Sequence, residues 1–221
     1  METDTTSDRP LIQQMVVIHR VFRREFGLLP GLIRRVAPGD VARASVVADH
    51  AANLLEFLHV HHSGEDEFLW PTLLERVEVK SDLIHRMEAQ HEHVARLVDQ
   101  ARELLPAWAN EPTPDGTAVL AATFDDMAGA LGEHLGDEEV EILPLVETHL
   151  SVAEWNRLGE HARASLSPPA GMASLAAILE EADDDERTMF TKDLPPPVLT
   201  VFVSQAEPAY REQMRRIRAD A

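Results

Sequence analysis

The chain contains no cysteine. A protein without cysteine has no disulfide framework, no thiolate metal site and no thiol redox chemistry. Any metal ion that this chain holds must therefore be bound by histidine and carboxylate side chains.

Basic residues are also scarce. Only 20 lysines and arginines stand against 39 aspartates and glutamates, which leaves a formal net charge of −19. This excess of negative charge repels nucleic-acid phosphates and anionic membrane surfaces. We therefore expect no nucleic-acid partner and no membrane partner, whereas the binding of cations is compatible with the charge.

Long apolar runs are missing as well. No stretch reaches the ~20 apolar residues that a bilayer-spanning helix needs. The N-terminal sequence METDTTSDRP has neither a basic start nor an apolar signal core. We expect a cytoplasmic protein, and 221 residues with 44% hydrophobic composition are enough to bury one substantial core.

The two-residue alternation of β-strands is absent too, and apolar residues recur at helical spacing instead. They repeat at intervals of three and four from Leu11 to Phe26, and we expect Gly27 and Pro30-Gly31 to bend or break this first helix. A second helix is expected from about Val41 into the seventies.

Two further long helices follow, from Asp82 to about Asn110 and from about Thr117 to His149, separated by a linker that ends at Gly116. After residue 150 the predicted helices are short and interrupted by prolines. The sequence thus predicts an all-α fold, with an up-down four-helix bundle over residues 1–150 and a C-terminal helical extension over residues 151–221.

Histidine is plentiful, with 11 residues of which nine lie between His50 and His149. Two of them open a repeat of eleven positions. HHSGEDEFLWP contains His61-x-x-x-Glu65-Asp66, and the second copy is His134-x-x-x-Glu138-Glu139. Each copy continues with two apolar residues and then a proline, at the same spacing.

The repeat extends upstream, since His19 lies 42 residues before His61 and His91 lies 43 residues before His134. We therefore expect two helical hairpins, each with one histidine on its first helix and His-x-x-x-Glu on its second. Residues four apart lie on one helix face, about 40° apart. Each helix of the bundle would thus offer at least one metal ligand to the interior.

The donor set indicates the metal chemistry. Imidazole and carboxylate without thiolate suit iron, manganese or zinc. Two bridging carboxylates with terminal histidines would make a dinuclear site, and the metal charge would offset the burial of carboxylates, which otherwise costs several kcal/mol each.

These residues resemble the hemerythrin-like, His-His-Glu cation-binding proteins over about residues 10–150. The resemblance rests on the two repeated motifs, the isolated histidine on the first helix and Met87-Glu88-Ala89-Gln90-His91 on the third. It implies a non-heme di-iron centre in a four-helix bundle, with two iron ions bridged by oxo or hydroxo; manganese or zinc is the alternative. The ligands implied by position are His19, His61, Glu65, His91, His134 and Glu138, with Glu65 and Glu138 as bridges.

The chain departs from the oxygen-carrying members, which have a His-x-x-x-His pair on the third helix. The positions four before and four after His91 are Met87 and Ala95. Those members also have aspartate where this chain has Glu139. Either one iron has an open coordination position, or another residue substitutes, for which the candidates are Glu88, His62, His93 and Tyr210.

Three histidines leave alternatives open. His91 and His93 differ by ~200° in helical phase, so that only one faces inward, and the 43-residue spacing favours His91. His62 is ~100° from His61 and is expected at the rim, although a register shift of one residue would make His62 and Asp66 the ligand pair. His50 lies ~16 Å from His61 along the helix, where it would line a channel or be hydrogen-bonded in the core.

The missing histidine favours redox chemistry over reversible oxygen carriage. We expect a di-iron protein that binds or reduces dioxygen, hydrogen peroxide or nitric oxide, with peroxide disproportionation, a catalase-like enzyme activity, as one version. The alternative is an oxygen or nitric-oxide sensor, or an iron-handling protein, without turnover and with residues 151–221 as the output or dimerisation element. A helical protein without metal is the third hypothesis, and monomer and homodimer both stay open.

Overall fold

A computed structural model of the chain describes residues 9–77 and 81–219. Residues 1–8, which form most of the polar N-terminal sequence behind the cytoplasmic expectation, lie outside these ranges. The described residues form helices joined by turns, and no strand occurs among them. The predicted all-α fold is therefore confirmed.

Four long helices make up the bundle, and seven shorter helices complete the described part of the chain. The long helices are α1 (Gln13–Arg34), α2 (Val41–Gly64), α4 (Ser81–Asn110) and α5 (Pro114–Asp137). The short helices α3 (Trp70–Arg76) and α6 (Leu143–His149) continue α2 and α5 after one wider turn each. The C-terminal extension contains α7 (Val152–Ser165), α8 (Pro168–Glu181), α9 (Asp184–Thr191), α10 (Pro196–Val201) and α11 (Glu207–Arg218).

The long helices form a closed ring of neighbours in which α1 packs against α2 and α5, and α4 packs against the same two helices. The direction of each helix follows from the residues that meet. His19, in the first half of α1, lies beside His61 at the end of α2 and Glu138 just after α5. Neighbouring helices are therefore antiparallel, which is the up-down bundle expected from the sequence.

The first helix differs from its prediction, because α1 runs without a break through Gly27 and Pro30-Gly31. A proline inside a helix removes one backbone hydrogen bond and strains the preceding turn. Here Leu29, Leu32 and Ile33 around the proline are completely buried in the core. Their burial stabilises this stretch by more than the proline destabilises it, so tertiary packing overrides the local signal.

Helix capping explains where other helices begin. The Asp40 side chain accepts a hydrogen bond from the Arg43 backbone N–H at 3.0 Å and thus caps α2, as the sequence predicts. The helix α5 begins at Pro114, three residues before its predicted start, because Thr113 accepts a hydrogen bond from Gly116 N–H at 3.1 Å. Proline is well accommodated in the first turn after such a cap.

Both copies of the repeated motif contain a π-helical turn, Glu65–Leu69 after α2 and Glu138–Ile142 after α5. The Trp70 N–H bonds the Glu65 carbonyl, and the Leu143 N–H bonds the Glu138 carbonyl, five residues back in each case. A proline, the eleventh residue of each motif, follows directly and would clash with the carbonyl four residues earlier in a regular α-helix. The wider turn accommodates that proline and shifts the register by one residue.

The C-terminal extension packs against the bundle and shares its hydrophobic core. Its buried apolar residues that join the bundle core are Ala176, Ala177, Ile178, Leu179, Phe202, Tyr210, Met214 and Ile217. The chain changes from long to short helices near residue 150, yet one core spans both parts. The division into residues 1–150 and 151–221 stays a prediction.

A buried ion-pair network also joins the extension to the bundle. Glu25 of α1 is 1% exposed; it accepts hydrogen bonds from Arg218 at 2.5 Å and from Arg24 at 2.7 Å, and it lies 3.0 Å from His50 Nε2. Burial alone would raise the pKa of Glu25, but His50 and the two arginines lower it to about 2.

Among the described residues, no helix combines the length and the apolar composition needed to cross a bilayer.

Candidate metal centre

Histidine and glutamate side chains of all four long helices and their π turns meet inside the bundle and form two groups of four. One group is His19, His61, Glu65 and Glu138, and the other is His62, Glu65, His91 and His134. Within each group the donor atoms all lie within 4.8 Å of one another. We call the seven residues together the donor cluster.

Glu65 belongs to both groups, and each of its carboxylate oxygens faces a different one. Oε1 lies 3.2 Å from His61 Nε2, whereas Oε2 lies 3.3 Å from His91 Nε2. A carboxylate that presents one oxygen to each of two donor sets has the arrangement of a bridge between two cations. Glu138 is placed differently, because the same oxygen, Oε2, lies 3.3 Å from His19 Nε2 and 3.8 Å from His134 Nε2.

The spacing of the donor atoms fits a shared metal ion. Two nitrogens that are each about 2.1 Å from one ion and at right angles to each other lie about 3 Å apart. The Nε2 atoms of His91 and His134 are 3.0 Å apart, and the carboxylate contacts of His19, His61 and His91 are 3.2–3.3 Å.

Unpartnered polar atoms are concentrated in the donor cluster. Among the described residues, the buried atoms without a hydrogen-bond partner include Nε2 of His19, His61 and His62 and both carboxylate oxygens of Glu65 and Glu138. His19 Nε2 is close to Glu138, but the two groups are not aligned as a hydrogen bond. Leaving such atoms unpaired costs about 1–3 kcal/mol each, and more when they are charged. Bound cations would satisfy all of them, so the residues present fit a dinuclear metal site.

The ring of His91 is held from its outer side. Its Nδ1 donates a hydrogen bond to Asp66 Oδ1 at 2.8 Å, and the Trp70 indole donates to the same oxygen at 3.1 Å. A carboxylate on the outer nitrogen fixes the tautomer and directs Nε2 inward, which is how partners of metal-binding histidines act.

The opposite side of the cluster repeats this arrangement. His19 Nδ1 donates to Glu139 Oε1 at 2.9 Å, and Arg23 donates to that oxygen at 2.7 Å. Asp66 and Glu139 occupy the same position in the two motifs, directly after the buried glutamate. The sixth residue of each motif therefore orients a histidine on a neighbouring helix.

The ring of His134 is held by an amide. Its Nδ1 lies 3.3 Å from Gln90 Oε1, and Gln90 Nε2 donates to Asp137 at 3.1 Å. Gln90 directly precedes His91, so one helix turn of α4 supplies both a donor of the cluster and a support for another donor.

Burial keeps part of the cluster neutral. Burial and the neighbouring imidazoles hold the pKa of His61 and of His62 well below the usual value. Burial also lowers the pKa of His134, to about 4, whereas burial and the carboxylate of Glu138 raise the pKa of Glu65 to about 7. Neutral imidazole is the form in which histidine binds a metal.

Two other histidines have a carboxylate beside each ring nitrogen, and their pKa is raised instead of lowered. Burial alone would lower the pKa of His19 and of His91, but the carboxylates beside them raise both to about 9. For Glu138, burial is likewise outweighed by His19, which lowers its pKa to about 2. Without a cation, protons partly balance the buried negative charge.

The structure brings all six residues of the predicted ligand set into the donor cluster, and it adds His62. That residue is buried, with its ring stacked on His91 at 4.1 Å between centroids, rather than at the rim where its helical phase had placed it. Asp66, the alternative partner of His62, binds the outer side of His91 instead.

Four other candidates lie away from the cluster. His93 is exposed beside Arg96, and Glu88 pairs with His85 on the surface of α4. Tyr210 donates a hydrogen bond to Glu180 at 2.9 Å. His50 lies beside Glu25 in the core and lines neither of the two cavities that reach the cluster.

Sequence reasoning missed the supporting roles of Gln90, Asp66 and Glu139, although the matching acids after Glu65 and Glu138 were a usable signal. It also placed His62 at the rim from its helical phase, although α4 covers that side of α2, and it did not anticipate the π turn that follows α2. The proline that ends each motif was the available sign of a π turn.

Two cavities reach the cluster from different sides. The first, of about 670 Å³, ends at His61 and Glu65 and lies between the bundle and the C-terminal extension. The second, of about 560 Å³, ends at His62 and His91 between α2 and α4 and is lined by several acidic side chains.

Comparison with models of known protein families matches residues 11–146 to the Hemerythrin HHE cation binding domain. No curated protein and no solved structure gives a significant match. The matched segment covers more than half of the chain, includes all of the donor cluster and ends before α7. The chain therefore belongs to the hemerythrin HHE cation-binding family.

Proposed function

We propose that the donor cluster holds two iron ions and that the protein binds or reduces a small oxidant there. The observation that carries the proposal is the sharing of Glu65 between two groups of buried donors, with unpartnered atoms in both. Histidine and carboxylate donors without sulfur suit iron, and the family is a cation-binding one.

The two groups would give their ions different ligands. One ion would have the imidazoles of His62, His91 and His134 and one oxygen of Glu65. The other would have the imidazoles of His19 and His61 and the carboxylates of Glu65 and Glu138. His62, from α2, would take the place of the histidine that the third helix lacks.

Bound iron would supply an oxidant-binding position and the electrons for reduction, and the surrounding residues perform the other tasks. Asp66, Glu139 and Gln90 fix the orientation of three imidazoles. Phe22, which is completely buried with its ring 5.1 Å from that of His61, helps to keep water out of the cluster. The first cavity gives a small oxidant a path to His61 and Glu65.

Hydrogen peroxide is the substrate with which we propose to test turnover. Its disproportionation is balanced without a further reductant, since two molecules of peroxide give one of dioxygen and two of water. The protein would be loaded with iron, and iron per chain, near-ultraviolet absorption and oxygen evolution would be measured on the same sample.

Matched variants distinguish the effect of removing a glutamate of the donor cluster from that of removing an exposed glutamate. Glu65→Ala and Glu138→Ala should lose iron and oxygen evolution, whereas Glu67→Ala should keep both, because Glu67 lies two residues after Glu65 and its side chain is 61% exposed. Two irons per chain without oxygen evolution would exclude the enzyme and favour a sensor or carrier of iron. Full iron content in both glutamate variants would exclude the site itself.

A further inference from the structure

The first cavity, which we call the C-terminal chamber, lies where α1 and α2 of the bundle face α7, α9 and residues 193–195 of the extension. Its inner end is formed by His61 and Glu65, two members of the donor cluster. It therefore connects the candidate metal centre to a cleft of which the C-terminal extension forms one wall.

The chamber is much larger than a small oxidant requires. A water molecule occupies about 30 Å³ in the liquid, and dioxygen or peroxide is of similar size. Sites for small organic molecules measure about 300–1,000 Å³. At about 670 Å³, the chamber falls within that range.

The walls of the chamber are mainly apolar on both sides. Met15, Phe57 and Val60 line it from the bundle. Trp155, Leu158 and Phe190 line it from the extension. Such walls favour a ligand that removes its own apolar surface from water on binding.

The walls are also held in place. The Trp155 indole donates a hydrogen bond to Gln14 of α1 at 3.2 Å. In the first turn of α9, Glu186 accepts hydrogen bonds from Gln13 at 2.8 Å and from Arg20 at 2.5 Å. The extension is thus tied to α1 at two points, and the chamber is formed before any ligand enters.

The charges of the chamber lie at exposed positions and have both signs. Arg163 contributes a cation, whereas Glu160 and Asp193 contribute anions. Together they leave one negative charge, and the chain as a whole carries −19. An anionic ligand therefore gains no net attraction from these exposed charges, and at the inner end of the metal-free chamber it would face the carboxylate of Glu65.

We propose that the C-terminal chamber binds an uncharged, mainly apolar organic molecule, one end of which lies against His61 and Glu65. The binding energy comes from side chains of this chain, so the metal-free protein binds the molecule as well. The C-terminal extension would accordingly act as a wall of the binding site and give the metal centre a second, larger ligand beside its small oxidant.

The test is a titration with N-phenyl-1-naphthylamine, an uncharged apolar fluorophore that accepts energy from tryptophan. Metal-free and iron-loaded protein should both bind it, and tryptophan emission should fall as the probe signal rises. In Trp155→Phe, the loss of tryptophan emission on titration should be smaller while the affinity changes little, because the tryptophan in the chamber wall is removed, Trp70 and Trp108 remain and the aromatic wall is kept.

Blocking variants then locate the probe. Ala162→Phe places a ring in the chamber and should weaken binding at least tenfold, whereas Ala164→Phe, exposed on the same helix, should leave it unchanged. Gly159→Leu is a second blocking variant, because Gly159 lines the chamber and a side chain there meets the flexible end of Arg163 at 3.3 Å, which can move aside. Equal affinity in the original chain and in both blocking variants would overturn the proposal, and so would tighter binding of decanoate than of decanol in competition on the metal-free protein.

The result does not depend on iron. A protein that binds iron but not the probe contradicts the chamber proposal alone. One that binds the probe at the chamber but takes up no iron contradicts the metal proposal alone.

Discussion

The imidazole Nδ1 of His91 lies 2.8 Å from Oδ1 of Asp66, the residue that directly follows Glu65 in the chain. The second motif forms the same contact, since Glu139 follows Glu138 and holds His19. Each motif thus places one acid inside the cluster and the next acid on the outer nitrogen of a histidine from another helix. The repeat carries both the donors and part of their support.

Asp66→Asn should weaken iron binding without unfolding the protein. The amide cannot provide the negative charge that stabilises the outer N–H of His91, and loss of such a partner typically costs about 10–100-fold in metal affinity. Competition with a chelator of known affinity measures the change. Glu67→Gln is the matched control, and equal affinities in the two variants would contradict a positioning role for Asp66.

Glu65→Gln should make the metal-free protein more stable at alkaline pH. The pKa of Glu65 is raised from 4.5 to about 7, so the folded state becomes less stable as pH rises from about 4.5 to 7 and the unfolded chain ionises first. The variant lacks this penalty and should be more stable by about 3 kcal/mol at pH 8, with little difference at pH 4.

Urea unfolding of both proteins at the two pH values gives these differences. Iron should stabilise the original protein and not the variant. If the variant is the less stable protein at pH 8 without metal, Glu65 is a structural residue and not one held ready for a cation.

His62→Ala should reduce the affinity for one of the two irons at least tenfold, because the group with His91 and His134 loses one of its three imidazoles. His93→Ala removes an exposed histidine and should change nothing. Iron per chain after exposure to graded chelator separates the two ions. Retention of both irons by His62→Ala would show that His62 packs beside the site without binding.

Glu25→Gln should destabilise the protein by about 3–5 kcal/mol near pH 7, because it leaves the partly buried guanidinium groups of Arg24 and Arg218 without this carboxylate. The pKa of Glu25 is lowered to about 2, so its contribution is present above about pH 4.5 and is lost as pH falls toward 2. The difference between the two proteins in urea unfolding should therefore shrink in acid.

Glu212→Gln, which alters an exposed ion pair within α11, is the control and should cost no more than about 1 kcal/mol. Equal stabilities of the Glu25 and Glu212 variants would mean that the buried network does not hold the extension to the bundle.

The sequence predicted the donors better than it predicted the helix that carries them. The spacing of His61 and Glu65, and of His134 and Glu138, placed each pair on one face, because helical phase is a local property. The same phase rule put His62 at the rim, because phase along one helix does not show which other helices surround a residue. The packing of α2 against α4 and the stacking on His91 bury that ring.

The ends of the helices also show where local sequence signals succeed and where they fail. Asp40 and Ser151 cap their helices, and aspartate and serine are residue types that favour this position. Pro30 was a local signal for a break, yet the buried residues around it keep α1 continuous. A local signal holds where the backbone meets solvent and fails where packing contributes more free energy.

By itself, the sequence determined the class of fold, the absence of sulfur chemistry, the repeat and the residue types available for a metal. These follow from composition and from periodicity along one chain. Only the tertiary structure decided that Glu65 faces two donor groups, that Asp66 and Glu139 support histidines on other helices, and that the C-terminal extension forms one wall of the chamber. Those relationships join residues far apart in the chain, and their distances are set by how the helices pack.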